Sequence, residues 1–114
     1  MMPSTVIVNM NTCNKSHKIT VSMRDDGDMD VDIKTDCKNV QEYANRLKKI
    51  TMADMSDRHG SKILDPDVSA SLSATCLVQI GVMDAAWIET GMLSGSLCKK
   101  VRQNEIILDR YDSE

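Results

Sequence analysis

The chain has 114 residues, a net charge of −3 and an apolar content of 41%. This length supports one hydrophobic core, so we expect a single domain over residues 1–114, with an ordered core at about 5–109 and a loose tail at 111–114. Interspersed acidic and basic residues argue against non-specific binding to nucleic acid, which needs a basic surface. Polar residues interrupt the longest apolar stretch, 77–93, and exclude a membrane span there.

The N-terminal residues lack the charged segment and apolar core of a signal peptide. We therefore expect a cytoplasmic protein. In a reducing cytosol its four cysteines are expected to be thiols or ligands rather than disulfides.

Three segments in the first third of the chain predict β-strands. The first, 5–10, is rich in β-branched residues. The second and third alternate polar residues with apolar ones, namely Ile19, Val21 and Met23, then Met29, Val31 and Ile33. Asp26-Gly27 between them is typical of a tight hairpin turn. The pattern predicts an antiparallel three-stranded meander with one apolar face.

The following residues predict helices that cover this face. Apolar residues recur at the spacing of one helix face at Val40, Tyr43, Ala44, Leu47 and Ile50. Shorter helices are predicted at 52–58 and, opened by Asp65-Pro66, at 66–74, and the longest helix at about 77–90. A last strand is predicted within 101–108. The expected fold class is α+β: the meander, a helical segment packed on one face, and a C-terminal strand returning to the sheet.

The cysteines are the candidate functional residues, although no two of them form a C-x-x-C motif. Cys13 lies between the first two predicted strands and Cys37 lies just beyond the third, so the meander places both at one end of the sheet. Cys76 precedes the longest helix. If that helix begins at the same end, three thiols converge, whereas Cys98 follows the helix and is expected to lie apart.

The position of Cys76 also predicts its chemistry. Free backbone N–H groups and the helix dipole favour a thiolate at a helix start, so we expect a pKa below the ordinary value, with burial as the opposing effect. The alternative for all four cysteines is structural. Free cysteine often behaves as a small buried hydrophobe, and the spacings alone leave this interpretation open.

Three short motifs surround the first three cysteines: Asn11-Thr12-Cys13, Thr35-Asp36-Cys37-Lys38-Asn39-Val40 and Ser73-Ala74-Thr75-Cys76-Leu77-Val78. Together they resemble a family of short three-cysteine proteins of unknown function from methanogenic archaea and other anaerobes. Its members carry a Gly-x-Cys-Gly turn, a Ser/Thr-Asp-Cys-Pro-Asn junction and an Ala-Ala-Cys-Pro-Val-Pro helix start. Here the glycines are replaced by Thr12 and Asn14, and the prolines by Lys38, Leu77 and Gln79.

The resemblance implies that Cys13, Cys37 and Cys76 belong to one site and that Cys98 is peculiar to this chain. Three thiolates leave one open position on a tetrahedral metal ion, which an exogenous ligand, His17 or Cys98 can fill. Zinc and an iron–sulfur cluster are the candidate cofactors. We expect His17 itself to be a surface residue, because it begins an alternating strand.

No catalytic motif is present. The aspartates at 25–32 lack the glycine and glutamate positions of an EF-hand. The sequence therefore predicts a small cytosolic protein that binds a metal or a thiol-reactive ligand through Cys13, Cys37 and Cys76. The alternative is a non-enzymatic interaction or accessory module with a protein partner and structural cysteines.

Overall fold

An antiparallel sheet forms the base of the fold, with its strands in the order β1-β2-β3-β4. The computed structural model describes residues 3–110, so the predicted tail at 111–114 lies outside the described residues. Strands β1 and β2 span Ser4–Met10 and Lys15–Met23, and strands β3 and β4 span Met29–Lys34 and Lys49–Ile50. The α+β class is confirmed, and the meander prediction is matched in part, because β4 adds a fourth strand to it.

The register of the meander follows from its apolar alternation. Val6 pairs with Ile19, and Ile19 pairs with Ile33 across the next ladder, so all three side chains share one face. Gly27 closes the β2–β3 hairpin with a φ of 89°, a conformation that glycine adopts without steric cost. Met23 was predicted to face inward but is 42% exposed, because it is the last residue of β2.

Helices cover the apolar face. Helix α1 spans Lys38–Leu47, α2 spans Met52–Ser56, α3 spans Val78–Glu89 and α4 spans Gly95–Val101, with a 3₁₀ turn at Lys62–Leu64. Helix α3 lies on β1 and β2, and α1 lies beside β3. None of the helices within residues 3–110 combines the length and the apolar character that a membrane span requires.

Ile50 does not belong to the helix face on which it was predicted. Helix α1 ends at Leu47 because Lys48 takes a positive φ of 50° and bonds its N–H back to the Ala44 carbonyl. Ile50 instead lies in β4 and pairs with Met29 of β3, and both side chains are fully buried. Its burial was predicted correctly and its secondary structure wrongly.

The helix predicted to follow Asp65-Pro66 is replaced by a series of turns. The Asp65 carboxylate accepts the N–H of Asp67 at 2.7 Å, and Ser69 donates its hydroxyl to the Asp65 carbonyl at 2.9 Å. Short polar side chains that bond to nearby backbone groups favour turns over continuous helix. Ser71 extends the pattern by donating its hydroxyl to the Asn39 carbonyl of α1 at 2.7 Å.

The predicted C-terminal strand is also wrong within the described residues. The chain forms α4 up to Val101, and residues 102–110 then form an exposed segment without regular secondary structure and without a strand partner. Ser94 starts the helix instead, because its hydroxyl accepts the backbone N–H of Leu97 at 3.3 Å. A serine at this N-cap position stabilises a helix start.

Candidate thiol site

One end of the sheet carries the first of the predicted site residues. Strand β1 ends there at Met10 and β2 begins at Lys15, with these two residues paired in the ladder. In the turn between them, Cys13 donates its N–H to the Met10 carbonyl at 3.1 Å. Asn14 completes the turn with a φ of 54°. Cys13 is consequently exposed to solvent on a short connection.

Cys37 lies at the same end, because β3 also finishes there. Its N–H donates to the Thr35 hydroxyl at 3.0 Å, and its carbonyl accepts the first-turn N–H of Gln41 at 2.9 Å. The side chain packs against the core and is half-buried. An ion pair of 3.4 Å between Lys15 and Asp36 joins the start of β2 to this junction.

Cys76 lies two residues before α3, as predicted. The next residue, Leu77, donates its backbone N–H to the sulfur of Met10 at 3.5 Å, which brings the start of α3 to the end of β1. Like Cys37, Cys76 is half-buried against the core. The turn after β1, the junction before α1 and the residues before α3 therefore meet at one end of the sheet.

The electrostatic influence of the thiols on one another agrees with their placement at one end of the sheet. Burial raises the pKa of the Cys76 thiol above its ordinary value, and repulsion from Cys37 and Cys13 raises this pKa further. The Cys76 sulfur in turn contributes to the raised pKa of Tyr43, for which burial is the larger cause. The three predicted thiols thus lie close enough to influence one another, and Tyr43 of α1 borders them.

The predicted low pKa of Cys76 is wrong. The backbone N–H of Val78, in the first turn of α3, donates to the Cys76 sulfur and lowers its pKa, which is the helix-start effect that the sequence indicated. Burial outweighs this bond, because removing a thiolate from water penalises the charged form.

Metal ligation requires more than proximity. Within residues 3–110, no group of three or more His, Cys, Asp or Glu side chains has a geometry that holds a metal ion. The thiols are neighbours at one end of the sheet, but their sulfurs do not converge on a common point in this conformation. Metal binding through Cys13, Cys37 and Cys76 stays a prediction, and it requires a local rearrangement.

His17 is buried, with 2% of its surface exposed, so its predicted surface position is wrong. It lies on the core face of β2 with Ile19 and Val21. Its Nδ1 is 2.7 Å from the Thr35 hydroxyl, the same group that accepts the N–H of Cys37. Burial lowers the pKa of His17, with Asp36 opposing and Lys15 reinforcing this shift.

The sequence analysis missed Met10 and Thr35. Thr35 joins His17 to Cys37, and its position two residues before Cys37 is typical of a threonine that bonds to the backbone in a turn. Met10 gave no signal, because a methionine at a strand end is ordinary core. Cys98 lies on α4 in a separate cleft with Thr5 and Ile88, in agreement with its predicted separation.

The fold and this sheet end define a small α+β domain whose distinguishing chemistry is a group of neighbouring thiols. The chain belongs to the family of unknown function DUF6951, whose model matches residues 4–101. This match confirms the resemblance to a domain of unknown function. No curated protein and no solved structure matches the chain.

Proposed function

We propose that the protein binds a thiophilic ligand, in the first place Zn²⁺, through Cys13, Cys37 and Cys76 in a reducing cytoplasm. The observation that carries this proposal is that the turn with Cys13, the junction with Cys37 and the residues around Cys76 meet at one end of the sheet. The resemblance to three-cysteine proteins of anaerobes supports the same grouping.

The charge balance of the group favours a cation. Thiolates placed together repel one another, and a bound metal ion removes that repulsion while it takes the place of the thiol protons. Because burial holds the proton on Cys76, metal binding must release it. We therefore expect the apparent metal affinity to rise with pH as the thiols become easier to deprotonate.

Formation of the site needs movement of the Cys13 turn. A tetrahedral zinc ion accepts sulfurs at about 2.3 Å, so three ligands must come within roughly 4 Å of one another. Cys37 and Cys76 are anchored at the starts of α1 and α3, whereas Cys13 is exposed on the four-residue connection at 11–14. Closure of this turn over the two anchored thiols is the rearrangement that we propose.

The fourth coordination position of the zinc ion is then open to a water molecule or an exogenous group. His17 is less suited to the role, because its Nδ1 is held by Thr35 and its side chain is packed among core residues. An iron–sulfur cluster is the second candidate cofactor, since cysteine thiolates are also its usual ligands.

The test is the metal content of the full chain purified without oxygen. We expect about one zinc ion per chain, lost when Cys13, Cys37 or Cys76 is replaced by serine. Cys98→Ser is the matched control and should keep its metal, because Cys98 lies in a different cleft. X-ray absorption at the zinc edge should show three sulfur neighbours at about 2.3 Å.

Two results would contradict the proposal. One is a metal-free protein that fails to take up Zn²⁺, Co²⁺ or an iron–sulfur cluster when reconstituted. The other is metal that survives replacement of any of the three cysteines while the variant stays folded.

An interaction module with structural cysteines is the alternative function. Its support is that Cys37 and Cys76 both pack against the hydrophobic core. This function predicts that Cys37→Ser and Cys76→Ser lower the thermal midpoint of a protein that carries no metal, while the exposed Cys13→Ser leaves it unchanged.

A further inference from the structure

The irregular segment that follows α4 exposes three consecutive aliphatic side chains. Ile106, Ile107 and Leu108 are each about two thirds exposed, at 67%, 66% and 66%. The segment, 103–110, follows the region that matches the family, so it is a feature of this chain beyond the matched domain. We refer to residues 103–110 as the arm.

Strand β1 offers a complementary edge. It is the outermost strand of the sheet, so one of its two sides has no strand partner within the described residues. An unpaired edge strand is a ready template for another extended segment. With seven residues β1 is about 23 Å long, and the eight residues of the arm span about 26 Å when extended. Ile7 of β1 is 63% exposed and provides an apolar contact along this edge.

The charges beside that edge match those of the arm. A cleft of about 350 Å³ lies where Thr5 of β1 meets α4, and Lys99 and Arg102 line it. The apolar centre of the arm is flanked by two acids, Glu105 and Asp109, and the arm ends at the basic Arg110. None of these five charged residues forms an ion pair within residues 3–110.

We propose that the arm of one chain pairs with the β1 edge of a second copy, and that the exchange is reciprocal about a two-fold axis. Three consecutive aliphatic residues put apolar side chains on both faces of a strand, a pattern typical of strands covered on both sides. The outer face of the sheet next to β1 is open, so an arm folded back on its own chain would leave one apolar face in water. An arm held between two copies has both faces covered. This inference does not depend on the proposed thiol site.

The first test is the oligomeric state of the full chain, measured by light scattering and sedimentation. We expect a dimer of twice the 12.7 kDa chain mass, and a monomer when the chain is ended at Arg102. Ile7→Lys should weaken the dimer at least tenfold, because an edge lysine opposes strand addition. The matched control is Met52→Lys, which changes another exposed apolar residue, 45% exposed on α2, and should leave the dimer intact.

Charge exchange tests the pairing itself. Lys99→Glu with Arg102→Glu should weaken the dimer, and so should Glu105→Lys with Asp109→Lys. All four changes together should restore it, because the attraction is re-established with its signs reversed. Mixing the chain ended at Arg102 with the Ile7→Lys chain should give a mixed dimer with one intact arm–edge contact.

Several outcomes overturn the inference. A chain that stays monomeric at about 0.5 mM excludes an exchange of useful affinity. A monomer whose arm amides resist hydrogen exchange shows that the arm folds onto its own β1. A dimer that persists after truncation at Arg102 uses another surface.

Discussion

His17 is the residue of this core that the sequence least predicts, because its imidazole side chain is buried. His17 occupies a position between aliphatic neighbours on β2, and a charged imidazolium there would lose its hydration. The hydroxyl of Thr35 accepts the Cys37 N–H and can donate its own proton to an uncharged Nδ1. This arrangement satisfies the neutral form, in agreement with the lowered pKa of His17.

The lowered pKa makes stability depend on pH. In the unfolded chain His17 takes up a proton near its ordinary pKa of 6.5, whereas the folded chain resists protonation until a lower pH. The unfolded state therefore binds more protons below about pH 6.5, and the free energy of unfolding falls as the pH falls through that range. We expect the urea midpoint to decrease between pH 7 and pH 5.

The chain contains a matched control for this prediction. His59 is exposed, and His59→Gln should keep the full pH dependence. His17→Gln should be less stable at pH 7 but flatter between pH 7 and pH 5, because the titrating group is gone. An equal slope in both variants would assign the pH dependence to other groups.

Helix α3 packs closely on strands β1 and β2 of the sheet. A Cβ atom at Gly81 would lie 2.5 Å from Val8 Cγ2 and 2.7 Å from Ile19 Cδ1, well inside van der Waals contact. Glycine in a helix interior costs about 1 kcal/mol relative to alanine. The close packing of α3 on β1 and β2 explains why a glycine is present despite that cost.

We expect Gly81→Ala to destabilise the protein. Overpacking typically costs 1–3 kcal/mol, roughly, and the gain in helix propensity offsets about 1 kcal/mol of it. The net loss in the free energy of unfolding should be about 1 kcal/mol, measured by urea titration. Gly95→Ala in α4 is the control, because a Cβ there meets nothing within 4 Å, and it should be neutral or stabilising. A Gly81→Ala variant as stable as the parent would contradict this expectation and would show that the side chains of Val8 and Ile19 can move aside without a cost in stability.

Elements with a strong local pattern were predictable from the sequence. The alternation at 18–24 and 28–34 and the Asp26-Gly27 turn gave the hairpin, and the long apolar run gave α3. The positions of Cys13 after β1 and Cys37 after β3 were predicted correctly at one end of the sheet, because the first and third strands of an antiparallel meander finish at the same end.

Elements that depend on competing local bonds were not predictable. Asp65-Pro66 has the residue types of a helix start. However, the side chains of Asp65 and Ser69 form hydrogen bonds within the turns, and that of Ser71 bonds to α1. The aliphatic residues of the arm have the composition of a strand and lack a partner in the chain that the structure describes. The pKa of Cys76 depended on the size of burial relative to one hydrogen bond, which no sequence pattern measures.

At the scale of the whole molecule, burial is distributed unevenly. The central strand β2 has partners on both sides and contributes fully buried residues such as Ile19 and Val21. Helix α4 buries no residue, and the arm beyond it is exposed throughout. Local stability follows buried contacts, so these two regions should open with very different free energies.

Hydrogen exchange on the chain ended at Arg102 should reveal this difference. Amides of Ile19 and Val21 should exchange only through global unfolding, whereas those of α4 should exchange orders of magnitude faster. The measurement is exchange followed by nuclear magnetic resonance or mass spectrometry. Slow exchange throughout Gly95–Val101 would show that α4 is held by contacts that its exposure does not reveal.

The glycine contact beneath α3 also governs the position of Cys76. Gly81 lies in the first turn of α3 and donates its N–H to the Leu77 carbonyl at 3.0 Å, and Val78 of the same turn donates its N–H to the Cys76 sulfur. Any substitution that lifts α3 from Val8 and Ile19 therefore shifts the Cys76 thiol relative to the Cys13 turn. Core packing beneath α3 and the relative placement of the thiols are thus coupled through the start of this helix.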